Sequence, residues 1–209
     1  MDELQVQTEE DIERWANLGV SRERIFLTGS IKFDHEGMIE PAEQIAEFRA
    51  LLGKIRGGVE GPVILAGSTH AGEEALIGKA FIELKKQAPT AFLAIVPRHF
   101  ERGQEVAADL EELGFLPLLK TELESAPEDS SREKCLVINT TGELRAWYFL
   151  SDIVLIGKSF LGEGGQNPIE PIIAGKPVVA GPSMENFAVL VDRLVEAQGI
   201  CLLYTSDAA

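Results

Sequence analysis

The residues of this chain whose types and spacing could do chemistry are densest from Ile153 to Phe187, IVLIGKSFLGEGGQNPIEPIIAGKPVVAGPSMENF. An apolar strand, Ile153 to Ile156, breaks into a glycine-rich loop from Gly157 to Gly165 that includes Gly164. Gln166 follows, and Asn167 and Pro168 then open a short helix carrying Ile169 and Glu170. Glycines let a backbone approach an anion closely, Asn is a good N-cap and Pro fits a first helical position, so free N–H groups would face a phosphate. A carboxylate in the first turn is favoured by the helix dipole, and the acceptor-only oxygens of Glu170 could hold a pair of sugar hydroxyls, such as those of a ribose. Loop composition alone fits a capped helix and flexible loop in any α/β protein equally well.

Other polar groups follow apolar runs elsewhere. Gly67-Ser68-Thr69-His70 ends the run Val63 to Ala66, Pro97-Arg98-His99 ends Ala91 to Val96, and Asn139-Thr140-Thr141-Gly142-Glu143-Leu144 ends Cys135 to Asn139. Arg98 offers a planar fork for a phosphate or a pyrimidine edge, or for a surface carboxylate. Thr141 or Gly142 begins a helix whose N–H groups could take an anion or a base carbonyl, or form an ordinary cap. His70 and His99 lack a metal-ligand spacing and read as positioning or structural residues, and Glu73 and Glu74 as the acidic first turn of their helix. Lys32, in the turn Gly29 to Asp34, is either a solvated lysine or a cation beside a phosphate or a departing anion.

The elements that must position these groups alternate along the chain. Continuous apolar strands separated by amphipathic helices predict a parallel sheet covered on both faces, an α/β, Rossmann-like, doubly wound domain. Helices are expected from Thr8 to Gly19, from Pro41 to about Leu52, from Gly72 to about Gln87, from about Glu101 to Leu113, from about Gly142 to Leu150, at Glu170, and from about Asn186 to Gln198. Strands are expected at Arg24 to Thr28, at Phe115 to Leu119 and at Pro177 to Ala180 besides those above, and Thr121 to Lys134 reads as an exposed polar loop. In such sheets ligands sit beyond the carboxyl ends of the strands, which is where the polar groups fall.

The 209 residues, 45% of them hydrophobic, suffice for a substantial core. A net charge of -15 argues against a nucleic-acid partner. No apolar run approaches the roughly 20 residues needed to span a bilayer, no signal peptide is visible, and Cys135 and Cys201 form no metal or disulfide pattern. Residues 201–209, CLLYTSDAA, read as a non-native, adapter-derived tail, and Met1 to Gln7 runs straight into a helix pattern as if from inside a longer protein.

Taken together, TGSIKFD (Thr28 to Asp34), GSTHAGEE (Gly67 to Glu74), VPRH (Val96 to His99), TGEL (Thr141 to Leu144), GGQNPIEP (Gly164 to Pro171) and GP...NF (Gly181 to Phe187) resemble, in order, the 3-deoxy-D-manno-octulosonic acid (Kdo) transferases of lipopolysaccharide assembly. The resemblance implies a two-domain GT-B glycosyltransferase that moves Kdo from CMP-Kdo to lipid A precursor (lipid IVA), inverting the anomeric centre, without a metal or other cofactor, at the cytoplasmic face of the bacterial inner membrane. It implies that 1–36 is the end of the acceptor domain and the interdomain connection, and that 37–200 is the donor-binding domain. Pro97, Arg98, Gly142, Glu143, Leu144, Asn167, Pro168, Ile169 and Glu170 would contact CMP. Ser68, His70, Gly164, Gly165 and Gln166 would be candidates for further donor contacts, and Lys32 matches a lysine credited with stabilising the transition state. The family's general base, a glutamate of the N-terminal domain, has no counterpart here, so the piece is expected to be soluble and to bind donor without turning it over. Gln166 stands where the family usually has His, Asn139 where an Asp is common and Lys158 where a Gly is frequent. A GT-B enzyme using a UDP-sugar, transferase or epimerase, and a non-catalytic nucleotide-binding module are the competing readings.

Overall fold

The computed structural model describes residues 2–29, 40–125 and 131–203. They fall into two compact units, within residues 1–39 and 40–209. In the first, β1 (Leu4–Val6) pairs in parallel with β2 (Ile25–Leu27), connected through α1 (Glu9–Asn17). Thr8 Oγ1 accepts from the Asp11 N–H at 3.2 Å, the cap its position predicts. Strand β1 has only three residues, too few for periodicity to reveal, and it supplies the lead-in that the sequence reading did not find before α1.

The second unit carries, among its described residues, a seven-stranded all-parallel sheet. Its strands are β3 (Val63–Thr69), β4 (Phe92–Pro97), β5 (Phe115–Leu119), β6 (Glu133–Val137), β7 (Ile153–Ile156), β8 (Val178–Ala180) and β9 (Cys201–Leu202), in the order β5-β6-β4-β3-β7-β8-β9. The helices are α2 (Ala42–Ile55), α3 (Glu73–Lys85), α4 (Gly103–Glu112), α5 (Leu144–Leu150), α6 (Ile169–Ile173) and α7 (Ala188–Glu196). Because successive strand residues point to opposite faces, Val63 and Leu65 pack with α2, α5 and α7 residues on one side while Ile64 and Ala66 pack with α3 and α4 on the other. Phe48 of α2 stacks on Trp147 of α5, centroids 4.7 Å apart. The sheet grows to one side of β3 through β4, β5 and β6, then to the other through β7, β8 and β9, so the winding reverses at β3. That reversal leaves a crevice at the carboxyl ends of β3 and β7.

Several boundaries move, each for a tertiary reason. Helix α2 runs past Leu52 to Ile55 because Ile55 is buried under the sheet. Strand β6 begins at Glu133, inside the expected loop, because Phe115 and Leu116 of β5 pair with Glu133 and Lys134. The start of that loop is a 3-10 segment, Lys120–Ser125. Cys201–Leu202 of the expected tail pairs with the open edge of β8, and the Leu203 N–H donates to Ala180 O at 2.8 Å. Such pairing uses backbone groups and requires no particular side chains. Among the described residues no helix is long and apolar enough to cross a membrane, and no group of three or more His, Cys, Asp or Glu is placed to hold a metal ion.

Candidate nucleotide-binding site

The crevice is built around the end of β3. Ser68 adopts φ 57° at a bulge between Gly67 and Thr69, which turns the chain off the sheet. The loop after β7 comes down on this bulge: the Gly157 N–H donates to Gly67 O at 2.8 Å. A methyl group on Gly157 would lie 2.2 Å from Ser68 O, so only glycine permits the approach. Glu73, fully buried at the start of α3, holds both loops. Its carboxylate accepts from the backbone N–H groups of His70 (2.9 Å), Lys158 (2.6 Å) and Phe160 (3.0 Å). Three donors that would otherwise lack a partner thus converge on one acceptor.

Glu74, also fully buried, accepts from Thr69 Oγ1 at 2.8 Å and pairs with Arg102, whose Nη1 is 2.8 Å from Oε1. Burial opposes the Arg102 charge, but hydrogen bonds to Glu105 and Glu74 outweigh it and raise its pKa above the ordinary arginine value. This pair ties the β3 turn to the turn after β4, where the Arg98 N–H donates to Thr69 O at 2.9 Å. The Arg98 side chain is exposed, and its guanidinium makes no hydrogen bond or ion pair among the described residues. His70 and His99 meet edge to face with centroids 6.3 Å apart, and His70 Nδ1 is 3.2 Å from Ser68 O. These contacts join the turn after β3 to the turn after β4.

On the other side of β3, α5 carries the Gly142-Glu143-Leu144 segment. Glu143 accepts from Lys120 Nζ at 2.9 Å and from Thr140 Oγ1 at 2.6 Å, so its carboxylate is committed to protein partners and its backbone is the part left to face a ligand. Asn139 is held by Thr121, donating to its hydroxyl at 2.7 Å and accepting from its N–H at 3.2 Å. Leu144 and Tyr148 lie 3.5 Å from where a methyl on Gly67 would stand, closing the floor of the crevice. Burial, then the charge of Glu170, raises the Tyr148 pKa. Asn167 Oδ1 accepts from the Ile169 N–H at 3.0 Å, so Asn167 caps α6 with Pro168 occupying the cap position rather than the first helical one. Glu170 is half-buried and lies in the first turn of α6, with no side-chain hydrogen bond among the described residues.

The loop between β7 and α6 is held from β8. Ser159 Oγ donates to Ile156 O at 2.5 Å and accepts from the Gly181 N–H at 2.8 Å. The Gly164 N–H donates to Glu185 at 2.6 Å, the Asn186 N–H donates to Gly164 O at 3.2 Å, and added methyls at Gly164 and Gly165 would strike Asn186 and Met184. The Gln166 N–H donates to Gly157 O at 3.2 Å, so that position is used through its backbone.

The structure therefore gathers Ser68, His70, Pro97, Arg98, Gly142, Glu143, Leu144, Gly164, Gly165, Gln166, Asn167, Pro168, Ile169 and Glu170 on the carboxyl edge of one sheet. Lys32 lies outside the described residues. Sequence reading missed the supporting set: Glu73 and Glu74 as buried acceptors, Arg102, Tyr148, Ser159, and Arg145, whose Nε is buried with no hydrogen-bond partner. Two adjacent glutamates after a glycine resemble any acidic first turn, and burial and their distant partners separate them from it.

A parallel doubly wound sheet with polar loops at its switch point defines a Rossmann-like domain of the GT-B glycosyltransferase type. No family model matches the chain. The chain is similar to 3-deoxy-D-manno-octulosonic acid transferases, at 34% identity over 187 residues for that of Haemophilus influenzae, covering 90% of this chain and 42% of the relative. The Bordetella pertussis transferase is 32% identical over 191 residues, covering 90% and 42%. Among solved structures it resembles the C-terminal CMP-Kdo binding domain of WaaA from Acinetobacter baumannii, with TM-score 0.66, 26% identity, and coverage of 78% of this chain and 82% of that one. A UDP-GlcNAc 2-epimerase from Neisseria meningitidis shares the fold, with TM-score 0.54, 18% identity, and coverage of 97% and 48%. The motif resemblance thus extends along nearly the whole chain, which spans less than half the length of these curated relatives.

Proposed function

We propose that residues 37–200 form the donor-binding domain of a Kdo transferase, which binds CMP-Kdo at the crevice between β3 and β7. The observation that carries this reading is the pair of charged groups on the crevice edge, Arg98 and Glu170, that have no side-chain partner among the described residues, beside the paired Glu74–Arg102 and Glu143–Lys120. Arg98 with Pro97 receives the cytidylate, the backbone of Gly142 to Leu144 meets the base, and Asn167 to Ile169 present the start of α6 to the nucleotide. The Glu170 carboxylate accepts from the ribose hydroxyls. Ser68, His70, Gly164, Gly165 and Gln166 line the donor side.

In the intact protein an acceptor hydroxyl of lipid A precursor attacks the anomeric carbon of Kdo from the face opposite CMP. The bond from that carbon to the phosphate oxygen breaks with inversion, and CMP leaves as a phosphate monoester with one more negative charge. The positive charge of Lys32, the counterpart of the family's lysine, offsets the developing charge. The proton of the hydroxyl goes to a glutamate of the acceptor domain, whose end, with the interdomain connection, is residues 1–36 in this reading. Residues 201–209 are a non-native tail in this reading. The intact enzyme works at the cytoplasmic face of the inner membrane without a metal.

Calorimetric titration of the chain with CMP, UMP and UDP tests the assignment. CMP is expected to bind selectively, and Arg98→Ala and Glu170→Ala each to weaken it by about 1–3 kcal/mol, the range for losing a charged hydrogen bond. Tighter binding of UDP would move the chain to the UDP-sugar enzymes that share its fold.

A further inference from the structure

The opposite, amino-terminal edge of the sheet carries a concave surface that the donor-binding reading does not use. A groove of about 490 Å³ lies between the carboxyl ends of α2 and α3 and the starts of β4 and β6, and none of the crevice residues lines it. Its wall holds five cationic side chains, Lys54, Arg56, Lys85, Arg132 and Lys134, against one carboxylate, Glu133. In a chain of net charge -15 such a concentration of positive charge is out of proportion.

Part of it has a structural cause. Helix carboxyl ends and strand starts expose carbonyls that attract cations, and three of the five serve them. Arg56 donates to Gly61 O and Thr90 O, both at 3.0 Å, and lies 5.6 Å over the Phe92 ring. Lys85 donates to Ala91 O at 3.2 Å and pairs with Glu133 at 3.0 Å, and Arg132 donates to Phe115 O. Lys54 and Lys134 are not accounted for in this way. Neither ammonium has a hydrogen-bond or ion-pair partner among the described residues. The one carboxylate of the wall is already taken by Lys85, so two lysines without a partner share a groove with two guanidiniums whose remaining N–H donors have no other partner among the described residues.

We propose that this groove is a second binding site, distinct from the crevice, for a small phosphate-bearing anion. Arg56 and Arg132, fixed by their carbonyl bonds and by Phe92, supply planar, preorganised donors. Lys54 and Lys134 supply the mobile charges that close on the phosphate oxygens. The concavity favours a small molecule over a flat membrane surface, which a convex basic face would fit better.

Pyrophosphate is the probe, titrated into the full chain by calorimetry at low ionic strength. The crevice also accepts phosphate in the proposed function, so the variants separate the two sites. Lys54→Gln with Lys134→Gln is expected to weaken pyrophosphate binding at least tenfold while leaving CMP binding unchanged, and Arg98→Ala to do the reverse. The charge-reversed pair Lys54→Glu with Lys134→Glu, checked for folding by circular dichroism, is expected to abolish groove binding. Pyrophosphate binding that survives both double variants, or that only Arg98→Ala removes, would overturn the proposal. So would co-sedimentation with phosphatidylglycerol vesicles, but not phosphatidylcholine vesicles, by a chain that ignores pyrophosphate.

Discussion

Glu73 accepts three backbone N–H groups from two different loops, and nothing about its place in the first turn of α3 requires that. Replacing it by alanine strips an acceptor from donors that lie partly out of water. Glu73→Ala is expected to cost roughly 3 kcal/mol in urea unfolding and to weaken CMP binding at least tenfold, because the β7 loop loses its anchor. An unchanged unfolding midpoint would refute that role. Lys158 shows the converse relation between residue and site. Its φ of 58° is the left-handed conformation that costs a side chain about 1–2 kcal/mol and that glycine adopts freely. Lys158→Gly is expected to be neutral or stabilising by up to about 1 kcal/mol, and Lys158→Val to destabilise by at least as much, in the same unfolding assay. The left-handed position was not legible in the sequence, because the residue that occupies it is not the one the backbone prefers.

At the scale of elements, the site is a contact between loops rather than a property of any one of them. The loops after β3, β7 and β8 approach backbone to backbone at Gly157 and Gly181, where added methyls would lie 2.2 Å from Ser68 O and 2.1 Å from Ser159 O. Gly157→Ala is therefore expected to destabilise by about 2–3 kcal/mol and to abolish CMP binding. Gly175→Ala, in a turn where a methyl meets nothing within 4 Å, should cost only its backbone strain at φ 72° and leave binding intact. Comparing the two by calorimetry separates loop contact from glycine conformation. The strands and helices themselves were legible, because buried parallel strands such as Phe92–Pro97 are continuous apolar runs bounded by turn residues. Their ends were less so: β6 starts two residues early and α2 ends three residues late, since neighbouring strands and the sheet face decide how far each continues.

For the whole molecule, two buried acids set the alkaline limit. Burial, with a smaller contribution from Glu133 and opposed by Arg132, pushes the Cys135 thiol up to about 12 from 9.0, and burial then Glu170 raises Tyr148. In the unfolded chain these groups ionise at ordinary values, so above about pH 9 the unfolded state binds fewer protons than the native one and stability falls as pH rises. Cys135→Ala is expected to flatten that fall by about 1.4 kcal/mol per pH unit between pH 9 and 11, measured as urea unfolding at each pH. An unchanged slope would place the alkaline loss elsewhere. The sequence by itself determined the α/β alternation, the polar groups at successive strand ends and the motifs that resemble Kdo transferases, because apolar periodicity and turn chemistry are local. Only the tertiary structure decided that Glu73 and Glu74 are buried struts, that Glu143 is spent on Lys120 while the Arg98 guanidinium has no partner among the described residues, and that a basic groove opens at the far edge. Burial and pairing depend on residues far apart in the chain, as Glu73 and Phe160 are at 87 positions, and no local pattern encodes which distant backbone donor a carboxylate will meet.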